Sequence, residues 1–331
     1  MQRTSAMTRR AFLGGLAAAS GAAAAACLAG ENRERPFFAS RGLPLGLQLY
    51  TLGEAPYRDL EGTLQAVARI GYRTVETVGL MKRSAAELRA ALDRAGLSCP
   101  SAHVPIAPGG PDPTLSGDLG KLAADMHRIG ARYVVVPILP VPPRFRAQEA
   151  KDGIGFLSRV AREMTADDWR RTAELLDERG AALKREGLRL AYHNHNIEFV
   201  EVGSKSGYEL LLENTQPDTV WFEMDVGWVA AAGVDPIPLL RAHRGRFRLM
   251  HIKDLKASTV ANHAFRMDPA DIGAGSLDWK AILPVGYRAG VRDFYVEQEP
   301  PFQGSRLAAA RADFQYLEGL ALPARASTVG A

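Results

Sequence analysis

From Leu43 onward, short runs of aliphatic and β-branched residues alternate with longer stretches whose apolar positions recur every three to four residues. The short runs predict strands at Leu45–Tyr50, Thr74–Val78, Ser98–His103, Tyr133–Ile138, Leu188–Asn194, Val220–Asp225, Arg248–Lys253 and Asp293–Glu297. Between them, the longer period predicts helices at Leu60–Ile70, Ala85–Ala95, Leu119–Ile129, Asp167–Arg185, Tyr208–Glu213, Pro236–Ala242 and Arg306–Leu317. Gly71, Gly96, Gly130 and Gly187 follow four of these helices where a left-handed cap is wanted. Thr165-Ala166-Asp167-Asp168 has the form of a capping box with Asp in place of Glu, and it starts the longest helix. Pro140 to Glu163 carries three prolines and then a basic stretch, which predicts a loop insertion after the fourth strand.

Repeated strand-helix units predict parallel strands joined by right-handed crossovers, in a closed barrel or an open doubly wound sheet. The polar residues separate the two. An open nucleotide-binding sheet concentrates its signal in one Gly-rich turn after the first strand, but Tyr50-Thr51-Leu52-Gly53-Glu54 has no such turn. Reactive side chains instead recur at the C-terminal ends of several strands, as in a single α/β barrel of the (β/α)8 type. The expected organisation is a leader at 1–30, a linker at 31–42, the barrel at 43–322 and a tail at 323–331.

Of the 331 residues, 47% are hydrophobic and 24% charged, so disorder and fibrous structure are excluded. The formal net charge of +4 does not imply nucleic acid as a partner. Arg3, Arg9 and Arg10 lie in a leader without acids, and 41 basic residues less these three leaves 38 against 37 acidic ones. Thr8-Arg9-Arg10-Ala11-Phe12-Leu13, followed by the mildly apolar Gly14 to Ala26, reads as a twin-arginine export signal. That run is too short and too weakly apolar for a membrane span. The expected location is therefore the periplasm or another extracytoplasmic space, with Cys27 raising a minor lipoprotein alternative. Cys99 is the one cysteine of the body, which leaves no pair for an internal disulfide.

Glu76, His103, His193-Asn194-His195, Asp225, His251 with Lys253, and Glu297 stand at strand ends, where burial is costly without a purpose. Side chains alternate along a strand, so His193 shares a face with His195, and His251 with Lys253. Two imidazoles and two carboxylates from four strands suit Mn²⁺, Zn²⁺ or Co²⁺ with positions left open for substrate. His127, His243 and His263 fall in helical or loop patterns and are expected at the surface.

At these residues the chain resembles the xylose isomerase-like sugar phosphate isomerase/epimerase family, a TIM-barrel group that shares its barrel with endonuclease IV. The resemblance is carried in order by Leu47-Gln48-Leu49-Tyr50-Thr51, Gly71-Tyr72-Arg73-Thr74-Val75-Glu76, Ser101-Ala102-His103, and Tyr192-His193-Asn194-His195-Asn196-Ile197-Glu198-Phe199. It continues through Met224-Asp225-Val226-Gly227-Trp228, His251-Ile252-Lys253-Asp254, Gly273-Ala274-Gly275-Ser276-Leu277-Asp278-Trp279 and Tyr295-Val296-Glu297-Gln298-Glu299. Carried over by position, it implies metal ligands at Asp225, His251 and Glu297, with His193 where many relatives have Glu. His195 falls where dehydratase members place a catalytic His, and Lys253 is expected to face the substrate. Glu76, His103 and Glu198 are the further expected substrate contacts, with Glu198 the only remaining candidate for a second catalytic carboxylate.

The chemistry so implied is removal of a proton next to a carbonyl, giving an enediolate on an unphosphorylated sugar or keto-sugar. Glu297 or His195 is the expected base, and Lys253 stabilises charge on oxygen. Return of the proton makes an isomerase or epimerase. Loss of the adjacent oxygen substituent makes a dehydratase or lyase. An endonuclease would call for a basic groove and more histidines, and a non-catalytic sugar-binding barrel would not need Asp225 and Glu297 intact. Gly273-Ala274-Gly275 neither follows a first strand nor opens a long helix, which removes a dinucleotide loop.

Overall fold

In the computed structural model, residues 35–107, 112–145 and 153–322 are described. The leader with Cys27 and the tail from 323 lie outside these residues. Eight parallel strands close into a barrel: Gly46–Gln48, Thr74–Val78, Ser98–His103, Tyr133–Val136, Arg189–His193, Val220–Asp225, Phe247–Ile252 and Asp293–Val296. Each strand pairs with the next in the chain, and the eighth returns to the first through Tyr295 opposite Gly46. All eight coincide with predicted strands to within a few residues at their ends.

The helices form where capping and apolar spacing agree. Ala85–Ala95 opens on a Ser84–Glu87 capping box, and Ala166–Arg185 opens on the box formed by Thr165 and Asp168. Helices at Leu60–Ile70, Leu119–Ile129 and Pro236–Ala242 have the predicted bounds. Among the features that differ from the sequence reading, three are large. The insertion is not all loop, because Ile154–Glu163 is a helix that buries Phe156 and Val160, one turn apart. A further helix at Trp279–Ala289 carries Pro284 inside it, and that proline obscures the apolar spacing. The expected linker is folded from residue 35: Arg35–Pro36 pairs antiparallel with Ala321–Leu322, while Phe37 and Phe38 pack edge-on against Phe294. Two aromatic rings inside the core tie this segment to the barrel.

Alternation along the strands divides the core into two regions. On the sixth strand, Phe222 and Met224 join the large apolar layer between barrel and helices, while Trp221 packs against the barrel interior. The lower interior is filled by Tyr133, Val135, Ala191, Leu249 and Tyr295. Gly46 makes room for this filling, since a Cβ there would lie 2.4 Å from the Tyr295 ring. Above it, at the C-terminal ends, the inward positions are polar and buried. Among the described residues, no helix is long and apolar enough to cross a membrane.

Candidate active site

Period-2 alternation brings together seven polar side chains from the ends of seven strands in a buried floor beneath one cavity, Gln48, Glu76, His103, His193, Glu223, His251 and Glu297, of which His103, His193 and Glu297 line the cavity itself. Glu76 Oε2 accepts from Gln48 at 2.8 Å and lies 2.7 Å from His251 Nε2, while its other oxygen accepts from the Ser101 hydroxyl. Glu223 Oε2 lies 3.1 Å from His103 Nε2, 3.1 Å from His193 Nδ1 and 3.2 Å from His251 Nε2. The three imidazoles form a triangle with ring centres 4.7 to 5.5 Å apart. The other nitrogen of His251 faces Glu297 Oε2 at 2.7 Å and Asp225 Oδ2 at 3.7 Å. Lys253 is fully buried, with Nζ 2.9 Å from Asp225, 3.1 Å from Glu297 and 3.0 Å from Glu299.

The cavity above this floor has a volume of about 770 Å³, and its wall includes Tyr50, His103, His193, His195, Trp228, Phe265, Glu297 and Glu299. His195 stands beyond the end of the fifth strand, its ring centre 5.5 Å from Trp228 and 4.7 Å from Phe265. Its Nδ1 is buried without a hydrogen-bond partner, while its backbone N–H donates to Glu198 Oε2 at 2.9 Å. Glu198 also accepts the Tyr192 hydroxyl at 2.7 Å.

Protonation follows the partners. Burial holds His195 well below the usual imidazole range, and the positive field of His193 and Lys253 adds to this. Burial likewise lowers His193, outweighing its bond to Glu223. For His251, burial opposes charge but Glu223 and Glu297 prevail and carry it well above that range. His103 rises to about 9 in the same way, against burial, through Glu76 and Glu223. Burial disfavours ionised Glu223 and Glu297, yet His251 acts on both, and Lys253 on Glu297, to hold them well below the usual carboxylate value. Glu198, with no cation beside it, is pushed up to about 7 by burial.

The structure thus gathers His193, Asp225, His251 and Glu297, whose donor atoms all lie within 4.8 Å of one another. It also gathers a second, overlapping set, His103, His193, Glu223 and His251, within the same limit. Glu223 escapes the sequence reading, although it stands two residues before Asp225 on one strand and therefore faces the same way. Three expected contacts sit differently. Glu76 and Glu198 are buried behind the cavity wall and bond to protein groups, and Lys253 is spent on three carboxylates instead of turning to the cavity. Gly227 allows this, since a Cβ there would lie 2.7 Å from Lys253 Cγ and 2.8 Å from its carbonyl oxygen. His127 is exposed, and His243 and His263 are partly exposed.

The comparisons with known proteins agree with this fold. Residues 64–318 match the family model described as xylose isomerase-like TIM barrel. An inosose dehydratase of Geobacillus kaustophilus is 23% identical over 203 residues, 58% of this chain and 61% of the relative. An inosose dehydratase of Salmonella typhimurium is 31% identical over 146 residues, 40% of this chain and 48% of the relative. The chain therefore spans about half to three-fifths of the length of these curated relatives. A sugar phosphate isomerase/epimerase of Parabacteroides distasonis is 25% identical, with a TM-score of 0.62 over 84% of this chain and 94% of that one.

Proposed function

The chain belongs to the xylose isomerase-like TIM barrel family, and on that premise we propose a divalent-cation-dependent enzyme that takes the proton next to a carbonyl of an unphosphorylated keto-sugar and expels the neighbouring oxygen substituent. It is an enzyme of a family that includes sugar isomerases, epimerases and dehydratases. The observation that carries the elimination reading is His195, an imidazole in the cavity wall with no carboxylate partner and a buried, unpartnered Nδ1.

A base must be unprotonated and open to the substrate cavity, and His195 meets both conditions. Its rivals do not. Glu297 is engaged by His251 and Lys253, His193 by Glu223, and Glu198 bonds behind the wall. Epimerisation by two bases needs a second group on the opposite face of the sugar, and the carboxylates that line the cavity, Glu297 and Glu299, are already held by Lys253. With one mobile base, the proton taken from carbon passes from His195 to the departing oxygen. The electron pair of the C–H bond becomes the new C=C bond, the C–O bond breaks, and water or an alcohol leaves. Trp228 and Phe265 beside His195 keep bulk water from competing for that proton.

The floor fits a cation, because it offers imidazole and carboxylate donors together and one fully buried carboxylate oxygen, Glu223 Oε1, has no hydrogen-bond partner. His193 and His251 would hold the ion with either Asp225 and Glu297 or Glu223, and Mn²⁺, Zn²⁺ or Co²⁺ suits such a set. When bound, the ion supplies a Lewis acid for the negative charge developing on the substrate oxygen. Export by the twin-arginine segment supports an unphosphorylated substrate, and replacing Arg9 and Arg10 by Lys is expected to leave the protein in the cytoplasm on cell fractionation.

The test is proton NMR of the Mn²⁺-loaded protein in D₂O with a panel of ketoses and 3-keto-glycosides. Loss of water or of the aglycone with an unsaturated keto-sugar is the expected result. Deuterium in an isomerised or epimerised sugar, without loss of a group, would overturn elimination and establish reversible proton transfer.

A further inference from the structure

The cavity holds more than one sugar ring, and its two ends differ in chemistry. Its volume is about 770 Å³. A keto-hexose has about twelve heavy atoms, and even at the roughly 30 Å³ that a water molecule takes up in the liquid these fill less than half of it. The imidazoles and carboxylates of the lining, His103, His193, His195, Glu297 and Glu299, all stand within three residues of a strand end. Farther out, the loops and the inserted helix supply Ile138, Ile154, Phe265 and Met267, and the only polar groups beside them are those of Tyr50 and Arg266. No Asn, Gln, Asp, Ser or Thr is among the described lining residues. We propose that this outer part holds a planar apolar aglycone, so that the substrate is an aryl glycoside of the keto-sugar and the group expelled is a phenol. This rests on the elimination reading.

Three observations carry the proposal. The helix Ile154–Glu163 buries Phe156 and Val160, yet Ile154 is 59% exposed and lines the cavity with Ile138 and Met267. A ligand with an apolar face would cover it. The second is position. The departing oxygen takes its proton from His195, so the group it carries lies beside Trp228 and Phe265, whose rings flank that imidazole and stand at 78° to one another with centres 5.9 Å apart. Such a pair offers a third ring both a face and an edge.

The third is that the wall is held in place by side-chain hydrogen bonds. Phe265 has a φ of 53°, a left-handed conformation that bulky residues seldom adopt. Its N–H donates to Asn196 Oδ1 at 3.0 Å, and Asn196 Nδ2 donates to the carbonyl oxygen and Oδ1 of Asn262 at 2.9 and 3.0 Å. The residue next to His195 thereby fixes the ring that covers His195. A second sugar in the outer part would need partners for its hydroxyls, which these aliphatic and aromatic groups do not offer. A phenol leaves more readily than an alcohol, its ordinary pKa being about 10, which suits a site where one imidazole both takes and returns the proton. The electron pair of the C–O bond stays on the phenolic oxygen, that oxygen receives the proton taken from carbon, and no water or oxidant is consumed.

The test uses the full-length Mn²⁺-loaded protein and glucosides without a keto group, so that binding is read without turnover. Phenyl β-D-glucoside, methyl β-D-glucoside and cellobiose are titrated by calorimetry. The phenyl glucoside is expected to bind at least about 10-fold more tightly than either of the others. Equal affinities, or no measurable binding of the phenyl glucoside, overturn the apolar subsite, and tighter binding of cellobiose assigns the outer part to a second sugar. Ile154→Asp and Met267→Asp are expected to abolish the phenyl preference while leaving methyl glucoside affinity and the circular dichroism spectrum unchanged. A preference kept in full by both variants places the phenyl group elsewhere and overturns the proposal. Elimination from keto-sugars without any aryl preference overturns this inference alone. An aryl preference in a protein that only exchanges deuterium overturns elimination and leaves the apolar subsite standing.

Discussion

The floor of the cavity and its aromatic wall both carry imidazoles and carboxylates, yet their surroundings shift these groups in opposite directions. On the floor, Glu223 meets three imidazoles and is held well below the usual carboxylate value, while the carboxylates around His103 and His251 raise both rings above the usual imidazole range. In the wall, Glu198 meets one phenol and one amide and rises to about 7, and His195 between Trp228 and Phe265 is held neutral. Burial by itself neutralises both kinds of group. Opposite charges within hydrogen-bond reach reverse that on the floor. A base that must accept a proton therefore belongs in the wall, and a cluster that must hold a cation belongs on the floor.

The contrast can be broken most severely from the floor. His251→Ala removes one of the two rings common to both donor sets, and bound metal is expected to fall to background with turnover lost, as read by elemental analysis beside a steady-state assay. Full metal content in that variant would take His251 out of the site. His195→Ala attacks the wall alone. Metal content is expected to stay normal while kcat falls about 10² to 10⁴-fold, the usual contribution of a general base. Near-normal turnover would move the base to Glu297.

Gly227→Ala strains the boundary between the two regions by driving a methyl group into Lys253. It is expected to lower stability by about 1–3 kcal/mol, seen as a reduced Tm, since overpacking of this kind is relieved only by backbone movement. The mildest change sharpens the contrast. Glu198 has a folded pKa of about 7, above its ordinary value of 4.5, so the folded state holds a proton that the unfolded chain releases between these values. Stability is therefore expected to decline as pH rises from about 4.5 to 7, and Glu198→Gln to flatten that slope in denaturant titrations at pH 5 and pH 8. An unchanged slope would place its source elsewhere.

Much of this arrangement is legible in the chain because strand side chains alternate and helix side chains do not. All eight strands follow from short β-branched runs, and the facing of His193, His251 and Glu297 follows from the same period. Glu223 was open to the same logic, two residues before Asp225, but it lies mid-strand, where a polar residue carries no sign of reaching a site. The helix at Trp279–Ala289 was hidden by Pro284, and the helix at Ile154–Glu163 by the prolines and basic residues before it. Phe37 and Phe38 precede the first strand, so only their partner Phe294, far along the chain, shows that they are core.

What the sequence determined by itself is the barrel and the set of groups at its mouth, because both depend on local spacing. Which nitrogen meets which oxygen was decided only by closure of the barrel, which sets His103 and His251, 148 positions apart, on the same carboxylate. Closure also turned Lys253 onto Asp225, Glu297 and Glu299, away from the cavity. It left His195, of the imidazoles that line the cavity, without a carboxylate partner. Charge state depends on distance in three dimensions, and no spacing along the chain contains that distance.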